Sequence, residues 1–177
     1  MTKLLIVVDM QKDFVDGALG TPEAVAIVDN VVAKIQNHTG DILVTYDTHS
    51  ATYLETQEGK NLPVPHCIKG TTGWELDTKV QAALANKTYV ALEKPTFGSV
   101  TLPEYIRTHY DPSAIEIQLI GLCTDICVVS NALLLKAHFT EAKIGVDTAC
   151  CAGVTVESHH AALTTMKMCQ IMVTEGD

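Results

Sequence analysis

Two cysteines flank the residues Thr124, Asp125 and Ile126 in the segment "LIGLCTDICV", 119–128, where an apolar run gives way to polar residues. A thiol with an ordinary pKa of about 8.5 is mostly neutral near pH 7 and attacks only as the thiolate. Sulfur chemistry here would therefore need a proton acceptor and a cation nearby. Asp9 and Lys94 have the right types, each closing an apolar run, "LLIVVD" (4–9) and "TYVALEK" (88–94). Taken singly, an aspartate there can cap a helix and a lysine can be a solvated strand end. Brought to one rim, Lys94 would stabilise the thiolate and Asp9 would take its proton. Position favours Cys127 over Cys123. Cys127 falls in the first turn of a helix begun near Thr124 and Asp125, where free N–H groups and the helix dipole favour negative charge. Backbone N–H groups around 123–127 could also face an oxyanion beside the sulfur, as acyl transfer requires.

A second constellation has metal-ligand character. Asp47 and His49 alternate at a strand end, so an extended chain points both to one face, and His66 follows in a long loop. One carboxylate and two imidazoles suit Zn, Fe or Mn. Glu55 or Glu58 could supply a fourth ligand, and solvated loop residues are the plain alternative for the whole set.

The elements that must position these groups are legible as an alternation. The segments 4–9, 41–47, 88–94, 114–122, 142–149 and 170–174 are rich in β-branched and apolar residues without strict alternation, the pattern of strands buried on both faces. Thr21 and Pro22 start a helix with Val25, Val28, Val32 and Ile35 on one face, and Gly40 stops it. Further helices are expected near 75–86, 103–109, 125–139 and 156–168. This order predicts a three-layer α/β/α fold with a six-stranded, mostly parallel sheet, in which sites form at the carboxyl ends of strands. Asp9, Asp47, Lys94, the 121–127 turn and Asp147 are the polar residues expected on that rim. The stretch 48–74 is expected to be irregular, and a connection longer than about 15 residues in a compact domain is usually functional or disordered. Trp74 and two histidines make it a functional candidate.

Composition sets outer bounds. The chain has 177 residues, 47% of them hydrophobic, with a formal net charge of -9. One domain, 1–177, is expected, and the acidic balance opposes nucleic acid and anionic membranes as partners. No apolar run approaches the roughly 18 residues of a membrane span. The expected setting is the cytoplasm, with a small-molecule ligand. The six cysteines are expected to be thiols rather than disulfides.

The combination resembles the nicotinamidase and isochorismatase-like cysteine hydrolases over nearly the whole chain. The resemblance lies in "LLIVVDMQKDF", "VTYDTHS", "PVPHCIKGT", "EKPTFGS" and "GLCTDICV", in that order. It implies a catalytic Asp9, Lys94 and Cys127, and a cis peptide between Leu122 and Cys123 that turns the N–H groups of Cys123 and Cys127 into an oxyanion hole. It implies one divalent ion, Zn ahead of Fe or Mn, on Asp47, His49 and His66, holding the pyridine nitrogen of a nicotinamide-like substrate directly or through water. "QEGK" resembles the form of the motif that makes Glu58, rather than Glu55, the fourth ligand. Phe14 and Phe97 are implied as pocket aromatics, with Leu122 as a further substrate contact. One departure stands out: many nicotinamidases carry an aromatic residue shortly before the "PHC" histidine, and this chain has Leu62, Pro63 and Val64 there.

The expected activity is hydrolysis of a small amide, nicotinamide or pyrazinamide first, to the acid and ammonia through a Cys thioester. The alternative on the same residues is another amide, ureide or carbamoyl compound; isochorismate hydrolysis ranks lower, since vinyl-ether chemistry needs no thiol nucleophile. From a different class, a flavodoxin-like binding or thiol-redox module would use Cys123 and Cys127 as a redox pair. Relatives are commonly oligomers, so a homo-oligomer is expected.

Overall fold

The computed structural model describes residues 1–175. Along the chain run β1 (Thr2–Val8), α1 (Lys12–Val15), α2 (Pro22–Ala26), α3 (Val28–Asn37), β2 (Asp41–Asp47), α4 (Gln57–Asn61), α5 (Thr78–Leu84), β3 (Tyr89–Lys94), α6 (Leu102–His109), β4 (Ile115–Leu122), α7 (Val129–His138), β5 (Lys143–Ala152), α8 (Val156–Met168) and β6 (Met172–Thr174). The six strands form one sheet in the order β3-β2-β1-β4-β5-β6, and every pairing is parallel. Strand order reverses around β1, so the crevice between the ends of β1 and its neighbours is the natural place for a site.

Alternation along β1 explains the two cores. Leu4, Ile6 and Val8 enter one cluster, with Ile106 of α6, Ala132 and Leu135 of α7 and Met166 of α8. Leu5 and Val7 enter the other, with Val31 and Ile35 of α3 and Val80 and Leu84 of α5. Helices thus cover both faces, and the central strands are buried on both, as their unbroken apolar runs require. The edge strand β3 is not: Tyr89 is 37% exposed, because β3 has a neighbour on one side only.

Three expectations are corrected. The helix from Pro22 breaks at Ile27 into α2 and α3, and its buried face carries Ala24, Val28, Val31 and Ile35 while Val25 points outward at 50% exposure. The stretch 48–74 is not wholly irregular, since Thr56 caps α4 by accepting from the Gly59 N–H at 3.0 Å. Asp147 is not a strand end. β5 continues to Ala152, with a register shift opposite Leu119 and Gly121, and Asp147 lies within the strand, 2.7 Å from the Lys34 ammonium of α3.

Among the described residues, no helix is long and apolar enough to cross a membrane.

Candidate active site

β1 ends at Val8, and Asp9 follows in the left-handed region at φ 47°, a conformation Asp tolerates better than most residues. That turn swings its carboxylate toward the rim. Opposite, Gly121 takes φ 115°, and a Cβ there would lie 2.1 Å from the Val8 carbonyl oxygen. Only glycine lets β1 and β4 close to this distance. The peptide between Leu122 and Cys123 is cis. Beyond it, residues Thr124–Val128 form a wide turn in which the Cys123 carbonyl accepts from both Ile126 and Val128 N–H, at 3.1 and 3.0 Å. Cys127 therefore sits in this turn ahead of α7.

The three groups meet. The Lys94 Nζ lies 2.6 Å from Asp9 Oδ2 and 3.4 Å from Cys127 Sγ, and it also donates to the Thr96 carbonyl at 3.0 Å. Thr45 Oγ1 donates to the other Asp9 oxygen at 2.7 Å. Asp9, Lys94 and Cys127 are 0%, 1% and 4% exposed. Two opposite charges so deeply placed stay ionised only by facing each other. Burial would lower Lys94, but Asp9, then Cys127 and Asp47, hold it well above its usual range. Burial raises Asp9, with Lys94 opposing. Cys127 is raised well above an ordinary thiol, by burial first and then by the Asp9 carboxylate, to which it is hydrogen-bonded, with Lys94 only partly offsetting this. Burial and the Asp9 carboxylate thus favour the thiol over the thiolate. The expected stabilisation by Lys94 is present, but burial and Asp9 outweigh it, and Asp9 is the base in reach of the proton.

Cys123 and Cys127 point apart. Cys127 packs in the cluster with α7 and α8, whereas half-buried Cys123 packs against the opposite cluster. Burial, with Asp125 and Asp9 nearby, pushes Cys123 up to about 12. All six cysteines are free. The two thiols enter different packing clusters, which speaks against a redox pair.

At the adjoining strand end, Asp47, His49 and His66 bring one ligand atom each to within 4.8 Å of one another. His49 Nε2 is 3.0 Å from Asp47 Oδ2, and His66 Nε2 is 3.6 Å from the same oxygen. Glu58 Oε1 approaches both rings, at 3.6 Å from His49 and 3.7 Å from His66, while Glu55 is exposed. The His66 Nδ1–H donates to the Val64 carbonyl at 2.8 Å, so Nε2 is the ring nitrogen turned toward the carboxylates and the one a metal would take. Burial would raise Asp47, but hydrogen bonds from His49 and His66 and the charge of Lys94 hold it well below the carboxylate range. The donor set fits a borderline divalent cation. Lys94 Nζ stands 3.6 Å from Asp47 Oδ1, so the two clusters share one wall.

Sequence reasoning passed over the residues that hold this frame. Gln11, fully buried, grips Asp47 at both backbone groups: its Nε2 donates to the Asp47 carbonyl and its Oε1 accepts from the Asp47 N–H, each at 2.8 Å. The same Nε2 donates to the Trp74 carbonyl at 2.8 Å. Asp13 accepts from the Cys67 N–H at 2.8 Å and so anchors the loop beside His66. Asn131 ties the Cys127 carbonyl, at 2.8 Å, to the Ser99 N–H, at 2.8 Å. The one signal in the sequence is that each is a short polar side chain beside a predicted site segment.

The implied pocket residues do not all gather. Phe97 is 49% exposed and lines a cavity of about 1210 Å³ that runs from His49 and Glu58 to Ile126. Phe14 is buried, its ring centroid 5.5 Å from that of His66. The Leu122 side chain lies wholly in the core, because alternation along β4 turns it into the sheet's packed face rather than toward the cavity.

Comparison with known proteins agrees with this geometry. A family model described as Isochorismatase domain matches residues 3–177. The nicotinamidase/pyrazinamidase of Mycobacterium tuberculosis is 26% identical over 186 residues, 96% of this chain and 96% of that protein. Among solved structures, the nicotinamidase/pyrazinamidase of Bacillus subtilis superposes with a TM-score of 0.84 at 28% identity, covering 99% of this chain and 100% of that one. The pyrazinamidase of Pyrococcus horikoshii in complex with zinc superposes with a TM-score of 0.81 at 25% identity, covering 99% of each.

Proposed function

The chain belongs to the isochorismatase domain family and is a hydrolase of linear amide C–N bonds, and from that premise we propose that it is a metal-containing cysteine amidohydrolase acting on a small amide, nicotinamide or pyrazinamide first. The observation that carries this is the buried contact of one ammonium with both a carboxylate and a thiol, 2.6 Å from Asp9 and 3.4 Å from Cys127.

In this mechanism Asp9 takes the thiol proton as Cys127 Sγ attacks the amide carbonyl, and Lys94, in contact with both, holds the negative charge as it passes from the carboxylate to the sulfur. The N–H groups of Cys123 and Cys127 receive the oxyanion. Asp9 returns its proton to the departing nitrogen, ammonia leaves, and a thioester remains. Asp9, again a base, then deprotonates water for attack on the thioester, releasing the acid and restoring the thiol. Asp47, His49 and His66 would hold the cation, with Glu58 ahead of Glu55 as the fourth ligand. When bound, that ion, Zn ahead of Fe or Mn, supplies a Lewis-acidic anchor for a substrate heteroatom. Phe97 and Phe14 would flank the ring from the cavity and metal sides.

Leu62 in place of a stacking aromatic, together with the size of the cavity, favours a second reading on the same residues: a different amide, ureide or carbamoyl substrate. Ammonia release from nicotinamide, pyrazinamide and a carbamoyl panel, with and without chelator, tests both; release from none of them refutes the amidohydrolase assignment. A cytoplasmic, single-domain homo-oligomer completes the proposal, and sedimentation measures its assembly.

A further inference from the structure

The cavity is larger than a ring and a carboxamide need. Pockets that bury a drug-sized ligand run to about 300–1000 Å³, whereas this one holds about 1210 Å³. Besides His49 and Glu58 of the metal cluster, its lining includes Leu62, Pro95, Phe97 and Ile126 and the amides of Gln57 and Asn61. Leu62 and Phe97 are 40% and 49% exposed, so large apolar side chains face the space without a partner from the chain's own core.

Charge on the wall decides what this outer space can take. Lys69 is the one Lys or Arg among the lining residues, and both oxygens of Glu93 hold it, at 2.8 and 2.6 Å. Glu58 and Asp125 line the same cavity. The chain's single arginine, Arg107 of α6, is engaged with Glu104 of the same helix and His138 of α7. Nothing on the wall offers the forked, charge-assisted donors that a carboxylate-bearing substrate needs.

On the premise of the amidohydrolase assignment, we propose that the preferred substrate is an uncharged primary amide carrying an apolar substituent of several carbons, which lies against Leu62 and Phe97 while the carboxamide meets Cys127. A substituent seated there removes apolar surface from water on both partners, and each fully buried methylene is worth about fourfold in affinity, less where it stays part-exposed.

The test is calorimetric binding to the metal-loaded Cys127→Ala protein, with nicotinamide, its 5- and 6-propyl derivatives and a matched 5-carboxyethyl derivative, beside ammonia release by the unaltered protein. At least one propyl compound is expected to bind about tenfold tighter than nicotinamide, the carboxyethyl compound no tighter, and Leu62→Trp is expected to remove most of the propyl gain. Equal or weaker binding of both propyl compounds overturns the proposal, as does tighter binding of the carboxyethyl compound. Ammonia from nicotinamide without any propyl preference sinks the outer subsite alone. A propyl preference in binding with no ammonia from any amide sinks the amidohydrolase premise instead.

Discussion

Two clusters share the carboxyl rim of the sheet and are held in opposite ways. Asp9, Lys94 and Cys127 sit at or just past the ends of β1, β3 and β4 and are sealed, none more than 4% exposed. Asp47 and His49 also follow a strand, but His66 and Glu58 come from the 48–74 segment, and the Glu58 side chain is 23% exposed. The sealed cluster must satisfy its charges mainly within itself, since its side chains are almost wholly removed from bulk solvent. The other has a wet side, which leaves room for an ion and for substrate. The sheet thus fixes the reacting groups, and the loop sets what they are offered.

The sharpest way to break the contrast is chemical. Cys127→Ala should lower amide turnover by more than about a thousandfold while its thermal melt stays that of the unaltered protein. Cys123→Ala, whose side chain packs in a different cluster, should keep turnover. If both variants are active, or both dead, the division of roles between the two thiols is wrong.

Next in size is stability. Asp9→Asn leaves the Lys94 ammonium buried without its counter-charge, and losing one partner of a buried pair costs roughly 3–5 kcal/mol. Urea unfolding should show that loss. Glu58→Gln, at the wet end, should leave urea stability nearly unchanged, since part-exposed charges contribute little. A similar loss in both variants would erase the distinction between a sealed and an open cluster.

A smaller effect separates ligands within the open cluster. Glu58→Gln should weaken Zn binding roughly tenfold, read by competition with a chromogenic chelator, and Glu55→Gln should not change it. The reverse order would move the fourth ligand to Glu55.

The contrast also explains what could be read from the sequence. Strands β1, β2 and β4 were legible because burial on both faces leaves an unbroken apolar run, and Asp9, Asp47 and Lys94 because each breaks such a run at its end. The break at Ile27 was not, since Val25, Val28 and Val32 fit a continuous helix as well as they fit two, and only packing against the sheet selects Val31. Asp147 misled for the opposite reason: a carboxylate inside a strand looks like a strand end until Lys34 is seen to pair with it. Gln11 and Asn131 stayed hidden because each grips a distant backbone group, Asp47 from 36 residues away and Ser99 from 32, and such a contact leaves no local pattern.

The smallest expected effect probes how the turn bearing Cys127 is backed. Fully buried Thr124 shares a hydrogen bond of 2.8 Å with His159 Nδ1, and Asp125 accepts from the Val154 N–H at 3.2 and 3.1 Å and from the Ser158 hydroxyl. These contacts dock the start of α8 on the turn. His159 is held below its ordinary 6.5, by partial burial first and then by His160, with Asp125 opposing. Its folded pKa is therefore depressed, so on acidification the unfolded chain takes up the proton first. The stability gained from neutral His159 is complete above about pH 6.5 and falls as the pH drops toward the folded value. Half-exposure keeps this contribution small. Melting temperatures between about pH 5 and 8 should fall less steeply on the acid side in His159→Gln than in the unaltered protein. The difference should persist after the metal is removed by chelator, because none of these contacts involves Asp47, His49, Glu58 or His66. Identical slopes would take His159 out of the clamp, and a difference seen only with metal bound would mean that the two clusters are not held independently.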